Sequence, residues 1–517
     1  MPLPANNTPW PPKEWHPIFT DYRTWEAWWT GDTHKLWAAY HNDTNPLTSR
    51  RRGIAGFVQR FFWGRRTNDA PNKPSRADLH IPIAADLATT TADILYATPP
   101  TITSDNQTTS DRLTAYVDDG LLEQLITGAE TGAALAGRYH RVTWDPTVAD
   151  QPFLHTIDAD NALPEFRWGR LTAVTFWTVL EHHGNTVLRH LERHELDQNG
   201  LGYTFHGLYE GTADNLGMLR PLTEHPATTP LAQTVGAEGY VTQGITPGLP
   251  VAYIPNITPN RRWRHVNGAK DLGRSVYDGI EPLMDALDET YSAWMRDLRL
   301  GKARIFADRD MLETSRPNQD GPQVFDLDRE VFTPLDGLAG SMADTVPIQP
   351  QQFNIRWQEH QQTALDLTRQ IIRGARFSAA TFSDVGDNDM TATEVNARLE
   401  STRTTRDRKI RIEKPAVERL LRKMLTVDQD IYHTSGLDPE TVTVDFPPLV
   451  SETKAESMNA AVLLKGAHLA SIETAVQMAH PDWDQDRITQ EVDAINQEQP
   501  LMSPDMWRPT TSEVTGA

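Results

Sequence analysis

Leu87, Ile94 and Leu95, followed by Leu113, Val117, Leu121, Leu122 and Leu125, recur at the spacing of a helix face and predict a helical segment over 78–136, split by Pro99-Pro100. Upstream, 20–64 reads as short helices broken by Gly31 and Asn45-Pro46. Between 139 and 253 the grain changes to short runs separated by turn residues, at 153–157, 171–180, 186–196, 203–209 and 251–254, which predicts a mixed, β-rich domain.

A long helix is predicted next, opened by Ser275 with Asp278 at capping-box spacing and running to Lys302, with Pro282 kinking its start. At about 1.5 Å per residue it would span roughly 42 Å. A second helix is predicted over 354–375. Between the two lies an insertion of β character, with a turn at 318–321 and extended runs at 324–327 and 331–335. A polar loop over 377–390 precedes the capping box Thr391-Ala-Thr-Glu394, after which helical spacing continues to Tyr432 with a kink expected at Pro415. Within it 400–409 is almost wholly polar and is expected to face solvent or neighbouring chains. A strand at 441–446, short helices at 452–464, 471–479 and 484–497, and a tail complete the chain.

The 517 residues suffice for two to four domains. With 49 basic against 70 acidic residues, net −21, the chain is unsuited to gripping duplex DNA by phosphate neutralisation. The absence of cysteine excludes disulfides, thiol catalysis and thiolate metal sites. No apolar run approaches a membrane span, and the polar, proline-rich start does not read as a signal peptide. Trp10, Trp15, Trp25, Trp28, Trp29, Trp37 and Trp63 crowd the beginning, as either an aromatic core or interface anchors.

Candidate chemistry is sparse. No phosphate-binding glycine loop and no G-x-S-x-G elbow occurs. His190 and His194 lack the order of a zinc-protease motif and lie in a run that alternates as a strand. Asp384, Asp387 and Asp389 could hold a divalent ion, but a solvated loop is the simpler reading, and neither metal nor cofactor is expected. On a helical wheel the long helix segregates cleanly. Val276, Ile280, Leu283, Leu287, Tyr291, Trp294 and Leu298 share one face, and Asp278, Glu281, Asp285, Asp288 and Glu289 gather opposite. A helix running out to a small β module and another returning suggest a stalk whose apolar face is covered by neighbours in a ring.

The arrangement resembles the portal proteins of tailed bacteriophages, particularly those infecting actinobacteria, over most of the chain. The residues carrying the resemblance are Arg189-His-Leu-Glu-Arg-His-Glu195 with His206-Gly-Leu-Tyr-Glu-Gly211; Gly273-Arg-Ser-Val-Tyr277 leading into Glu281-Pro-Leu-Met-Asp-Ala-Leu-Asp288; Thr391-Ala-Thr-Glu-Val395; and Leu469-Ala-Ser-Ile-Glu-Thr-Ala475 with His480-Pro-Asp-Trp483. The resemblance implies an α+β portal fold: a mixed α/β wing over 1–270, a long helical stem over 271–303 and 347–376, and a small β-containing clip over 304–346. It further implies a tunnel loop over 377–390, a kinked wing helix over 391–435, an α-helical crown over 436–500 and a flexible tail over 501–517.

By the same resemblance the chain is no enzyme. It forms a ring of about twelve copies at one capsid vertex, the channel for double-stranded DNA packaging and ejection. Its partners are then other copies of itself, the major capsid protein, the terminase large subunit, a head-completion adaptor protein and the DNA, without a membrane, in the virion and in the host cytoplasm during assembly. The acidic face Asp278, Glu281, Asp285, Asp288 and Glu289 is expected to line the channel, with Asp384, Asp387, Asn388 and Asp389 in the tunnel loop. A capsid-associated or DNA-modifying enzyme and another virion protein, such as an adaptor or tail subunit, are the alternatives.

Overall fold

The computed structural model describes residues 3–41, 79–146, 148–235, 240–242, 248–301, 304–308, 333–335, 348–351, 355–382, 392–448, 454–467, 469–480, 483 and 485–498. It divides into two compact units, one of residues 1–387 and 398–447 and one of residues 388–397 and 448–517.

In the first unit, helices α1 (His16–Thr30) and α2 (Thr33–His41) lead to α3 (Ile83–Tyr96), strand β1 (Thr101–Thr103), α4 (Gln107–Asp118) and α5 (Leu121–Ala134). Strands β2 (Gly137–Thr143) and β3 (Phe153–Asp158) follow, then β4 (Ala162–Arg167), β5 (Arg170–His183), β6 (Thr186–Leu196), β7 (Gly202–Thr212) and β8 (Asn215–Arg220). Helix α6 (Thr229–Thr234) and strands β9 (Tyr240–Thr242) and β10 (Val251–Pro255) close the β-rich part. The larger sheet is antiparallel in the order β4-β5-β6-β7-β8, with β9 also on β7; β10-β2-β3 is a second antiparallel sheet. Gly217 turns the chain at β8: its φ is +70°, and a Cβ there would stand 2.0 Å from the Glu210 carbonyl oxygen.

The tryptophans of the beginning resolve into a core. Trp10, Trp15, Trp25 and Trp28 are at most 7% exposed, and Trp25 and Tyr22 pack on Trp263 at ring separations of 5.4 and 5.5 Å. Trp37 is half exposed, and Trp63 lies outside the described residues.

Helix α7 (Glu281–Leu300), strands β11 (Arg304–Asp308), β12 (Thr333–Leu335) and β13 (Ile348–Gln351), and helix α8 (Trp357–Gly374) give the anticipated order of helix, β module, helix. The strands form one sheet, β12-β11-β13. The start of the first helix needs correction: it begins at Glu281, because Ser275 turns inward, donating to the Ala134 carbonyl at 2.6 Å and accepting from the Tyr277 N–H at 3.0 Å. Pro282 sits in the first turn, where its missing N–H costs nothing. The two helices run antiparallel, since Trp294 stacks on His360 at one end and Gly374 lies against Ile280 at the other.

The apolar stripe of α7 is also partly reassigned. Val276, Ile280, Met284 and Leu287 are at most 5% exposed within this chain's own core, so the near half does not await a neighbour; Met295 and Leu298 further out are exposed. Of the predicted loop over 377–390, the first six residues are packed: Phe377 is 6% exposed and meets Phe382 edge to face. The remainder, with Asp384, Asp387, Asn388 and Asp389, lies outside the described residues.

Helix α9 (Ala392–Ile431) runs for 40 residues, continuing through Pro415. Its polar stretch has two sides: Glu400, Ser401, Thr404, Asp407 and Arg408 are exposed, as anticipated, while Thr402, Arg406 and Lys409 are at most 7% exposed. The inner side tolerates burial because its polar atoms are satisfied. Thr402 Oγ1 accepts from the Ser378 N–H at 2.9 Å, Arg406 donates to the carbonyls of Ile94 and Pro447 at 2.8 Å each, and Lys409 donates to Asn256 Oδ1. A turn later Glu413 accepts from Arg138 and from the Tyr96 hydroxyl. Beyond it Val417, Leu420, Leu421, Met424 and Leu425 enter a second apolar core with α3, α4 and α5. Strand β14 (Thr443–Asp445) then pairs with β1, which places it in the first unit rather than in a crown beginning at 436. The second unit carries helices α10 (Lys454–Gly466), α11 (Ile472–Ala479), capped by Ser471, and α12 (Gln485–Glu498). No described helix is long and apolar enough to cross a membrane.

Burial, with Arg138 nearby, pushes the Lys409 pKa down to about 7, while Glu413 pulls the other way. A lysine in the unfolded chain titrates near ~10.4. Between these values the unfolded state binds a proton that the folded state has lost, so stability rises with pH from about 7 to 10; below 7 both states are protonated and the full cost is present. Lys409→Met is therefore expected to stabilise the protein at pH 6 by about 1–2 kcal/mol and to flatten the rise above pH 7. Denaturant titrations at pH 6, 7.5 and 9 measure both, and an unchanged slope assigns the pH dependence elsewhere.

Candidate functional site

Of the five carboxylates singled out on the long helix, Asp278 falls just before α7 and the other four on its first turns, and the bonds of Glu281, Asp278 and Asp288 tie them into the subunit. Glu281 is 2% exposed. Its Oε1 accepts from Trp25 Nε1 at 3.0 Å and Arg262 Nη1 at 3.2 Å, and its Oε2 accepts from the Gly279 N–H at 2.7 Å. Burial raises its pKa above the ordinary carboxylate value, against the pull of the Trp25 bond and of Arg262. A side chain so enclosed has no surface to offer a channel, which removes Glu281 from the expected lining.

Asp278 stands 3.6 Å from Arg262 and 4.0 Å from Arg274. Arg262 in turn clasps Asp21 on α1 through two bonds of 2.8 and 2.6 Å, and Trp263 donates to the same carboxylate at 2.8 Å. Asp288 accepts from His80 Nδ1 at 2.8 Å and the Ile81 N–H at 2.9 Å. The Leu79 N–H adds a bond to Ser292 at 2.9 Å, so half of the acidic face is a polar seam sewing α7 to α1 and to the segment before α3. Asp285 is half-buried and Glu289 exposed; these two stay near the surface.

The histidines of β6 are structural neighbours of charge. His194 Nε2 lies 2.6 Å from Glu192 Oε1, and Glu192 pairs with Arg141 across to β2. His190 Nε2 lies 3.1 Å from His206 Nδ1 on β7. Burial is the main cause that lowers the His206 pKa, to about 4, so the stacked pair stays neutral at ordinary pH. Among the described residues no group of histidine, aspartate and glutamate is placed to hold a metal ion.

Two features escaped the sequence pattern: the polar half of α9, and a gathering of arginines where Arg261, Arg274, Arg376 and Arg408 come together from four segments. The run Arg261-Arg-Trp-Arg264 was the available signal. Nothing in it distinguishes Arg262, which pairs with Asp21, from Arg261, which pairs with no carboxylate among the described residues.

No curated protein matches the chain. Among solved structures, a chain from the neck of an empty gene transfer agent particle, computed with C6 symmetry, is 13% identical with a TM-score of 0.40, covering 82% of this chain and 98% of that one. A chain from the virion of a native gene transfer agent particle is 12% identical with a TM-score of 0.35, with the same coverage. The family model described as phage portal protein, SPP1 Gp6-like, matches residues 19–500. That match runs through the β-rich part, α7, the small sheet, α8, α9 and the terminal helices, and the chain belongs to the SPP1 Gp6-like family of phage portal proteins.

Proposed function

We propose that twelve copies close into a ring at one capsid vertex, with α7 and α8 as the stem of each subunit and the sheet β12-β11-β13 within the clip. The chain is a portal protein, a structural component of the virion that forms the DNA channel. The observation carrying the finer reading is the order α7, small sheet, α8 and 40-residue α9 inside the family match. It leaves the clip at the far end of two paired helices, suited to meeting the terminase large subunit and later a head-completion adaptor. Asp285 and Glu289 are proposed to face the channel. Duplex DNA carries about one negative charge per 1.7 Å, which an acidic wall repels evenly instead of binding. The loop with Asp384, Asp387, Asn388 and Asp389 is proposed to approach the DNA, the chain being held in the host cytoplasm until the capsid protein assembles around the ring.

The test replaces 304–346 by a short Gly-Ser loop and images both proteins. Rings with a central hole are expected from each, with adaptor binding only by the parent. Monomers at all concentrations from the parent would overturn the ring, and adaptor binding by the shortened protein would overturn the clip.

A further inference from the structure

Three arginines, Arg261, Arg376 and Arg408, gather around the buried guanidinium of a fourth, Arg274. The Arg274 N–H donates to the Ile257 carbonyl at 2.9 Å, and its own carbonyl accepts from Asn256 Nδ2 at 2.8 Å. The next carbonyl along, Thr258, accepts from the Arg408 guanidinium on α9. Asn260 donates to the Gly273 carbonyl at 2.5 Å, which sets Arg261 beside the same turn. Thr405 donates to the Arg376 carbonyl at 3.0 Å, drawing the residue after α8 against the turn of α9 that carries Arg408.

Arg274 is 9% exposed, and among the described residues its Nε has no hydrogen-bond partner. The carboxylate nearest to it, Asp278, is 4.0 Å away and is shared with Arg262. Among the described residues no carboxylate pairs with Arg261, Arg376 or Arg408; Arg261 and Arg408 are exposed and Arg376 half-buried. Burial lowers the pKa of Arg274, and Arg376, Arg261 and Arg408 add to the lowering while Asp278 opposes it, as expected of like charges held close together.

An unmade hydrogen bond at a buried donor leaves its desolvation uncompensated, and neighbouring cations add repulsion. Such a site is anomalous in a chain of net charge −21 unless an anion completes it. Planar guanidiniums with spare N–H groups match the oxygens of carboxylate and phosphate groups alike, and several arginines around one point suit the phosphate, which carries more charge and more acceptor oxygens than a carboxylate. We propose that Arg261, Arg274, Arg376 and Arg408 form a phosphate-binding site in which an oxyanion satisfies Arg274 Nε.

The phosphate can be free inorganic phosphate or the phosphodiester of duplex DNA. The duplex alternative rests on the channel reading above; the free-phosphate alternative does not. The full chain is titrated with inorganic phosphate, and with chloride at equal ionic strength, while thermal unfolding is followed, and fluorescence anisotropy of a labelled duplex is recorded at low salt. Phosphate is expected to raise the melting temperature of the parent. Arg376→Gln and Arg408→Gln, at surface positions that leave the buried arginine in place, are expected to bind phosphate at least tenfold more weakly. Duplex binding that inorganic phosphate displaces assigns the DNA source; phosphate stabilisation without duplex binding assigns the free anion. Equal phosphate response in parent and variants overturns the site. So does loss of ring formation in the variants without any phosphate effect, which would assign the arginines to carboxylates of a neighbouring copy.

Discussion

Replacing Glu413 by alanine is expected to lower the unfolding free energy by about 3–5 kcal/mol. Its partner Arg138 is 3% exposed, and the Tyr96 hydroxyl donates to the same carboxylate oxygen at 2.7 Å. Removing the carboxylate strands a buried guanidinium, orphans a buried hydroxyl and leaves Lys409 facing Arg138 with no counter-charge. Pairing the change with Arg138→Met should recover a good part of the loss, because two missing charges cost less than one unpaired charge. Urea titrations of the three variants measure it. A loss below about 1 kcal/mol for Glu413→Ala would mean that Arg138 reaches water or another acceptor.

Glu281→Lys is expected to be at least as damaging, about 4 kcal/mol or more. The substitution removes the acceptor for Trp25, Arg262 and the Gly279 N–H, and sets an ammonium group beside a guanidinium in a site that is 2% exposed. A channel-lining residue would behave oppositely, folding and assembling normally while altering DNA passage. Asp285→Lys and Glu289→Lys are the variants suited to that question. Rings should form, and packaging or ejection should slow most at low salt, since a Debye length of about 8 Å confines the effect to near contact at physiological salt. Glu281→Lys protein that melts with the parent and forms rings would return Glu281 to the channel wall.

The elements with a strong period were legible from residue order alone. The runs at 186–196 and 251–254 became β6 and β10 within a residue of their predicted ends, because alternation against one core face leaves little freedom of register. Ser275 misled because a serine followed by an acidic residue three positions on marks a helix start or a tight turn equally well; only the nearness of the Ala134 carbonyl, 141 residues away, decides between them. The acidic face of α7 was visible, but its partners were not: Trp25, His80 and Arg262 lie on other elements, and a helical wheel sees a single helix. The same blindness hid the buried half of α9, whose polar residues read as a surface because Ile94, Asn256 and Pro447 are remote in the chain. The family, in contrast, was recognisable from the order of weak motifs, which does not require knowing which way any side chain turns.

The bond between Tyr96 and Glu413 spans 317 residues. At a ribosomal rate of roughly 5–20 residues per second, the strand and helices that emerge first wait about 15–65 s for the carboxylate that neutralises Arg138, and for β14 to cover the edge of β1. During that interval the nascent chain displays an unpaired buried-type cation and the bare apolar flank of α3, α4 and α5. Slowing translation before codon 413 should therefore increase chaperone occupancy and insoluble product, whereas slowing it after codon 447 should not.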